Sequence, residues 1–191
     1  METKLKTDRR IVRTREAIVK AFLELFAEKE LEHITINDIA DKANVNRGTV
    51  YLHYSDKYDL LDKCIESHLN KLFSFCQNHE AQTATPLVHD LRPVFLYFEE
   101  NYSFFSSLLF NQQASMFRER LVQFMSDSVR DKLKNNTVPS EINDELNAQF
   151  VASAFIGVVE WWIQNKMPYP PAYMAEQMFK LFEKNEVSIP V

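Results

Sequence analysis

Apolar residues recur at three- and four-residue spacing along most of this chain, the period of a helix with one face turned inward. Ile11, Ile18, Phe22, Leu25 and Phe26 share one face of a first helix from about Asp8 to Lys29. Ile36, Ile39, Ala40 and Ala43 repeat in a short second one. From about Ser55 to His79 a long helix carries Leu60, Leu61, Cys64, Ile65, Leu69, Leu72, Phe73 and Cys76. The stretch Gln82 to Val88, rich in Thr, Ala, Pro and His, reads as a linker. Beyond it lie helical segments from Leu91 to Asn101, with Pro93 near its start or kinking it, and from Tyr102 to Gln112. A helix from about Ser115 to Lys134 buries Met116, Phe117, Leu121, Phe124, Met125 and Val129, and Asn135 to Ser140 breaks it. Ser140 caps a helix from Glu141 to about Lys166, and Pro170-Pro171 open the last, to about Glu183. The expected class is all-α.

The most informative stretch runs from Ile34 to Leu61. Thr35 and Asp38 have the spacing of a capping box, with Ile34 and Ile39 at the staple positions around it. The helix they start ends at Asn44, a residue that tolerates the left-handed region. After a sharp turn, Asn46 suits the cap of another helix carrying Arg47, Gly48, Thr49, Val50 and Tyr51. Ser55 is the expected cap of the long helix, whose first turn holds Asp56 and Asp59. Two helices joined by so short a turn form a helix-turn-helix.

A recognition helix in the major groove needs side chains that reach base edges, flanked by groups that hold phosphates. Arg47 can fork onto guanine, Thr49 can meet a thymine methyl, and Gly48 removes bulk where the helix comes close. Tyr51, His53 and Lys57 supply a phenol, an imidazole and an ammonium for the backbone. Thr35, Asn46 and the basic residues Arg9, Arg10 and Arg13 of the first helix complete the expected DNA-contacting set.

At Thr35, Ile39-Ala40, Ala43, Val45, Gly48, Tyr51-Leu52-His53-Tyr54, Lys57 and Leu60 the chain resembles the DNA-binding region of the tetracycline-repressor (TetR/AcrR) family of bacterial transcription regulators. Asn44 stands where that family usually has glycine and Asn46 where it usually has serine or threonine. Both replacements keep the backbone chemistry. The resemblance implies that Arg47, Thr49 and Tyr51 lie on the recognition helix and that Tyr51, His53 and Lys57 grip the DNA backbone. It also implies an N-terminal DNA-binding domain, residues 1–54, and a helical effector-binding and dimerisation domain, residues 55–191. Gly157, Glu160-Trp161-Trp162, Met167 and Pro170 resemble one recurring C-terminal type among these regulators.

Charge sharpens this division. Residues 1–60 carry 11 Lys+Arg and 11 Asp+Glu, whereas residues 61–191 carry 11 and 16, and the first fifteen residues alone are net +4. The basic charge is gathered at one end, where it suits phosphate. Gly48 and Gly157 are the only glycines, so neither a phosphate-cradling P-loop nor a dinucleotide-binding turn can be built. No nucleophile elbow or Ser, His and Asp set stands out, and an enzyme is not expected. Cys64 and Cys76, about 18 Å apart on one helix, cannot pair with each other. Cys64 and His68 are read as packing residues, with no metal and no cofactor expected. Free thiols and no signal peptide favour the cytoplasm. Ala154 to Ile163, interrupted by Glu160, falls short of the ~20 residues of a membrane span.

The helix from 141 to 166 is apolar nearly all round. Leu146, Phe150, Ser153, Gly157 and Trp161 line one face; Val151, Ala154, Phe155, Val158 and Trp162 line the other. Such a helix is deeply buried or lies between subunits. Phe150, Ser153, Gly157 and Trp161, with Met174 and Met178 of the last helix, are therefore the expected homodimer interface, an intermolecular four-helix bundle with two-fold symmetry. Tyr97, Phe98, Tyr102, Phe105, Phe124, Glu160 and Trp161 are the candidates for an effector pocket. The expected protein is a homodimeric repressor on a palindromic double-stranded operator, released by a small molecule. The alternative is a co-regulator of the same fold that docks another protein and has no ligand of its own.

Overall fold

The computed structural model describes residues 2–77, 91–110, 114–135 and 142–184, and among these every regular element is a helix. The predicted linker at 82–88 and the Ser140 cap lie outside the described residues. Contacts cluster into two compact units, residues 1–68 and 69–191.

The first unit holds α1 (Glu2–Glu28), a 3₁₀ turn (Leu31–His33), α2 (Ile36–Ala43), α3 (Arg47–Tyr51) and the beginning of α4 (Lys57–Gln77). Its core is the predicted one: Ile18, Phe22, Leu25 and Phe26 of α1 are buried with Ile34, Ile39, Val50, Leu60 and Leu61. Phe22 and Phe26 stack at 5.7 Å. Ile11, on the turns before Ile18, is exposed, so the buried face begins only at Ile18. Burial also sets Cys64 and His68. It pushes the thiol up to about 12 and the imidazole down to about 4, so neither is charged at neutral pH.

In the second unit, α5 (Arg92–Glu100) packs on α9 (Pro171–Lys184), and α7 (Ala114–Asn135) packs along α8 (Asp144–Gln164). The short α6 (Tyr102–Phe110) touches α5, α7 and α8. Pro93 sits in the first turn of α5, where its missing N–H costs nothing. Phe105 is the hub of an aromatic cluster, with ring centres 4.7 Å from Phe98, 5.3 Å from Phe104, 5.7 Å from Phe117 and 6.2 Å from Tyr97. Phe95 meets Trp162 edge-on at 5.3 Å, and the Trp162 indole N–H donates to the Tyr169 carbonyl at 2.8 Å, joining α8 to the turn before α9.

Two expected caps move. Asp56, not Ser55, caps α4, its Oδ1 accepting from the N–H groups of Tyr58 and Asp59 at 2.8 Å each. Asn143 caps α8, accepting from Glu145 and Leu146 at 3.0 and 3.1 Å. A carboxylate or amide placed one residue before the first turn reaches two N–H groups at once. The membrane reading changes too: α8 is long and apolar enough to cross a bilayer by length and composition, at mean hydropathy 1.3. Half of that window is buried inside the chain, as in the core helix of a folded domain.

Candidate nucleic-acid interface

The helix-turn-helix is built by backbone chemistry at its corners. Thr35 Oγ1 accepts from Asp38 N at 3.1 Å, and Asp38 Oδ2 accepts from Thr35 N at 2.9 Å, closing the capping box. The Thr35 N–H and then the Lys29 ammonium, 3.1 Å away, hold the Asp38 carboxyl below its ordinary value. At the other end of α2, Asn44 takes φ 53° and ψ 47°. Asn44 N donates to Asp41 O and Val45 N to Ala40 O, the pair of bonds that closes a Schellman turn. The chain therefore reverses within three residues and delivers α3.

α3 has five residues, and Val50 is the one it buries. Arg47, Gly48 and Tyr51 are exposed and Thr49 is half-buried, so a single apolar anchor leaves the rest of the helix facing outward. Asn46 holds the extended backbone of a cap, but its side chain makes no capping bond; the amide expected to start α3 is exposed instead. Arg47 Nη2 donates to Tyr51 Oη at 3.1 Å, and the guanidinium lies 5.4 Å from the centre of that ring. An exposed pair of this kind is worth only about 0.5–1 kcal/mol, so either group is readily released to a ligand. Gly48 is not required by the chain's own packing, because a Cβ there would meet nothing within 4 Å.

The basic residues of α1 belong to the same surface. Arg9, Arg10 and Arg13 are exposed, and with Thr14, Ala17 and Val45 they line a groove of about 420 Å³. Val45 is in the turn that leads to α3, so the groove that the three arginines line reaches the helix-turn-helix. His53, two residues past α3, is half-buried, and its Nδ1 accepts from Arg15 Nε at 3.4 Å. Burial, and secondly Arg15, lower its pKa. Lys57 stands at the start of α4 with its ammonium on the carbonyls of Leu31 and Glu32.

Three neighbours were given no contact from sequence, although Leu52 stands in the family pattern. Leu52 is 82% exposed, off the buried register and next to Tyr51. Arg15 and Lys63 both bond to His53 across 38 and 10 residues, and such pairings leave no local signal.

The second unit separates the remaining candidates. Phe98 and Phe105 are buried in the aromatic cluster, Tyr97, Tyr102 and Phe124 are half-buried, and Phe124 stacks on Phe73. Burial, and after it Glu100, push the Tyr97 phenol up to about 12. Glu160 is half-buried against Arg118 at 3.2 Å, and burial raises its pKa against that cation's pull. Trp161 is 46% exposed and stacks on Tyr169, with ring centres 6.4 Å apart. It belongs to the stripe of Leu146, Phe150, Ser153 and Gly157, where Leu146 is 68% and Phe150 56% exposed. Met174 and Met178 do not join that stripe. They are buried within the chain, and the large apolar residues that α9 exposes are Tyr173 and Leu181.

Comparison with known proteins agrees with this geometry. The family described as "Bacterial regulatory proteins, tetR family" matches residues 18–64, and the "Transcriptional regulator C-terminal region" of the TetR_C_8 type matches residues 89–184. The chain is 26% identical to the uncharacterized HTH-type transcriptional regulator YxbF of Bacillus subtilis, over 98% of its own length and 49% of that protein. It thus spans about half the length of that relative. Over 63 residues it is 35% identical to the HTH-type transcriptional repressor KstR2 of Mycobacterium tuberculosis, covering 33% of this chain and 32% of that one. The solved structure of the dihydroxyacetone kinase operon activator DhaS shares the fold at a TM-score of 0.68 and 18% identity, covering 90% of this chain and 95% of that chain. On both of its matched regions, the chain belongs to the tetR family of bacterial regulatory proteins.

Proposed function

We propose that this protein is a DNA-binding transcription regulator, a homodimeric repressor that acts by occupying a two-fold operator in the bacterial cytoplasm. The observation that carries the reading is α3 itself, anchored by Val50 alone and turning Arg47, Gly48, Thr49 and Tyr51 outward beside the arginine-lined groove. In this reading Arg47 and Thr49 meet base edges. Thr35, Asn46, Tyr51, His53, Lys57 and the α1 arginines Arg9, Arg10 and Arg13 meet the backbone. Residues 1–54 are the DNA-binding head; residues 55–191 carry the effector and dimer functions.

The stripe Leu146, Phe150, Ser153, Gly157 and Trp161, which reaches Tyr173 through the ring of Tyr169, is the surface that a second copy covers. Contiguous apolar exposure of this kind is costly unless a partner removes it from water. A small effector then acts by preferring one geometry of the dimer, and shifts the population only by that preference.

The test is a titration of the protein against duplex DNA at rising salt. Log K should fall linearly with log salt, and Arg9→Ala, Arg10→Ala and Arg13→Ala together should make the slope shallower by about 0.9 for each phosphate no longer neutralised. A chain that binds no duplex at low salt rejects the reading.

A second reading, a co-regulator that docks another protein and takes no small molecule, is favoured by the rings closed around Phe105. A thermal-shift screen of small apolar and amphipathic molecules separates the two: an effector raises Tm with concentration, a filled core gives no shift.

A further inference from the structure

Two cations outside the DNA-contacting set converge on one residue. Arg15, on α1, donates to the ring of His53, and Lys63, on α4, donates from Nζ to the His53 carbonyl at 3.2 Å. Lys63 is itself placed by Asp59 Oδ2 at 3.0 Å and lies 5.1 Å from the centre of the buried Tyr54 ring. Asp59 Oδ2 accepts in turn from Ser55 N at 2.8 Å. His53, two residues past α3, is thus fastened by its ring to the helix before the helix-turn-helix and by its carbonyl to the helix after it.

A helix as short as α3 does not hold its own geometry in water. Its attitude must come from Val50 and from its two ends. The Schellman turn at Asn44 secures the approach to it, and the bonds to His53 secure the exit.

We infer that Arg15 and Lys63 are positioning residues for DNA recognition: by clasping His53 from α1 and α4 they set the angle at which α3 is presented and hold the imidazole as its Nε2–H tautomer. This rests on the DNA-binding reading above. The tautomer follows from the bond, because a Nδ1 that accepts leaves the proton of the neutral ring on Nε2. That N–H is then a fixed donor for a phosphate oxygen. Neither cation needs to touch DNA, so removing one should lower affinity while every phosphate keeps its own partner.

The test uses the full chain with Lys63→Met, which keeps the stem over Tyr54 and removes the ammonium, Lys63→Arg, which restores a donor, and Arg15→Met. Duplex affinity is followed by fluorescence anisotropy over a range of salt, and thermal melts verify the fold. Lys63→Met and Arg15→Met should each weaken binding by about three- to tenfold at an unchanged salt slope, and Lys63→Arg should recover most of it. A slope shallower by about 0.9 would make the residue a direct phosphate ligand and overturn the inference, as would wild-type affinity in both methionine variants. Imidazole ¹⁵N spectra of the free protein give a readout that needs no DNA: the Nε2–H pattern in the wild type and a mixed one in Arg15→Met. A mixed pattern in the wild type overturns the clasp alone, whereas a wild-type chain that binds no duplex overturns the DNA-binding reading, so the two failures are distinguished.

Discussion

The ammonium of Lys57 donates to the carbonyl of Leu31 at 2.8 Å and to that of Glu32 at 2.9 Å, closing the first turn of α4 onto the 3₁₀ turn that precedes α2. Two of its three N–H groups serve the fold, and in the proposed reading the third meets a phosphate. Lys57→Ala should therefore have two effects. Stability should drop by about 1 kcal/mol as the carbonyls lose their donor. Affinity for every duplex should also fall, with a salt slope shallower by about 0.9. A lower Tm with an intact slope would confine Lys57 to the turn.

Gly48 separates folding from binding. A methyl group there meets nothing in the chain, and alanine is the better helix former, so Gly48→Ala should hold or raise stability, by up to about 1 kcal/mol. On DNA the same methyl group should obstruct the close approach and cost about tenfold in affinity, or about 1.4 kcal/mol. Thermal melts and anisotropy on the same sample check both halves. Unchanged affinity would place Gly48 away from the duplex.

The capping box makes α2 sensitive to acid. The Asp38 pKa is lowered in the folded chain, chiefly by the Thr35 N–H and then by Lys29, so its contribution is present above the ordinary carboxylate value of 3.8. That contribution is lost as pH falls through the depressed folded value. The Tm difference between wild type and Asp38→Ala should be constant from pH 8 to about 5 and shrink below 3.8. Thr35→Ala should cost about 1 kcal/mol at neutral pH.

Self-association is tested on the exposed stripe of α8. Phe150→Glu changes a residue that the single chain leaves 56% exposed, so the chain should keep its helicity and melt normally. Sedimentation should show the wild type as a dimer and Phe150→Glu as a monomer at the same concentration. Met178→Glu should instead unfold the second unit, since Met178 is only 1% exposed inside the chain.

Much of the first unit was legible in the sequence because its corners are local. A Thr and an Asp three residues apart define a capping box, and an asparagine in the left-handed region ends α2, with no help from distant residues. What sequence missed depends on residues far apart in the chain. The bonds of Lys57 to Leu31, 26 residues away, and of Arg15 to His53 have no periodicity to reveal them. Helix phase is the other gap. α9 carries apolar residues on more than one side, so Met174 and Met178 were as good candidates for its outer face as Tyr173 and Leu181, until packing against α5 turned the methionines inward.

Selection of bound sequences from a random duplex pool tests the central claim, that α3 reads DNA as one of a two-fold pair. The enriched site should consist of two inverted half-sites with centres about 10–10.5 base pairs apart, or a multiple of that. Arg47→Ala should relax preference at one base pair of each half-site, by about 1–3 kcal/mol of discrimination. A pool that shows no enrichment, or a site that Arg47→Ala leaves untouched, would contradict it.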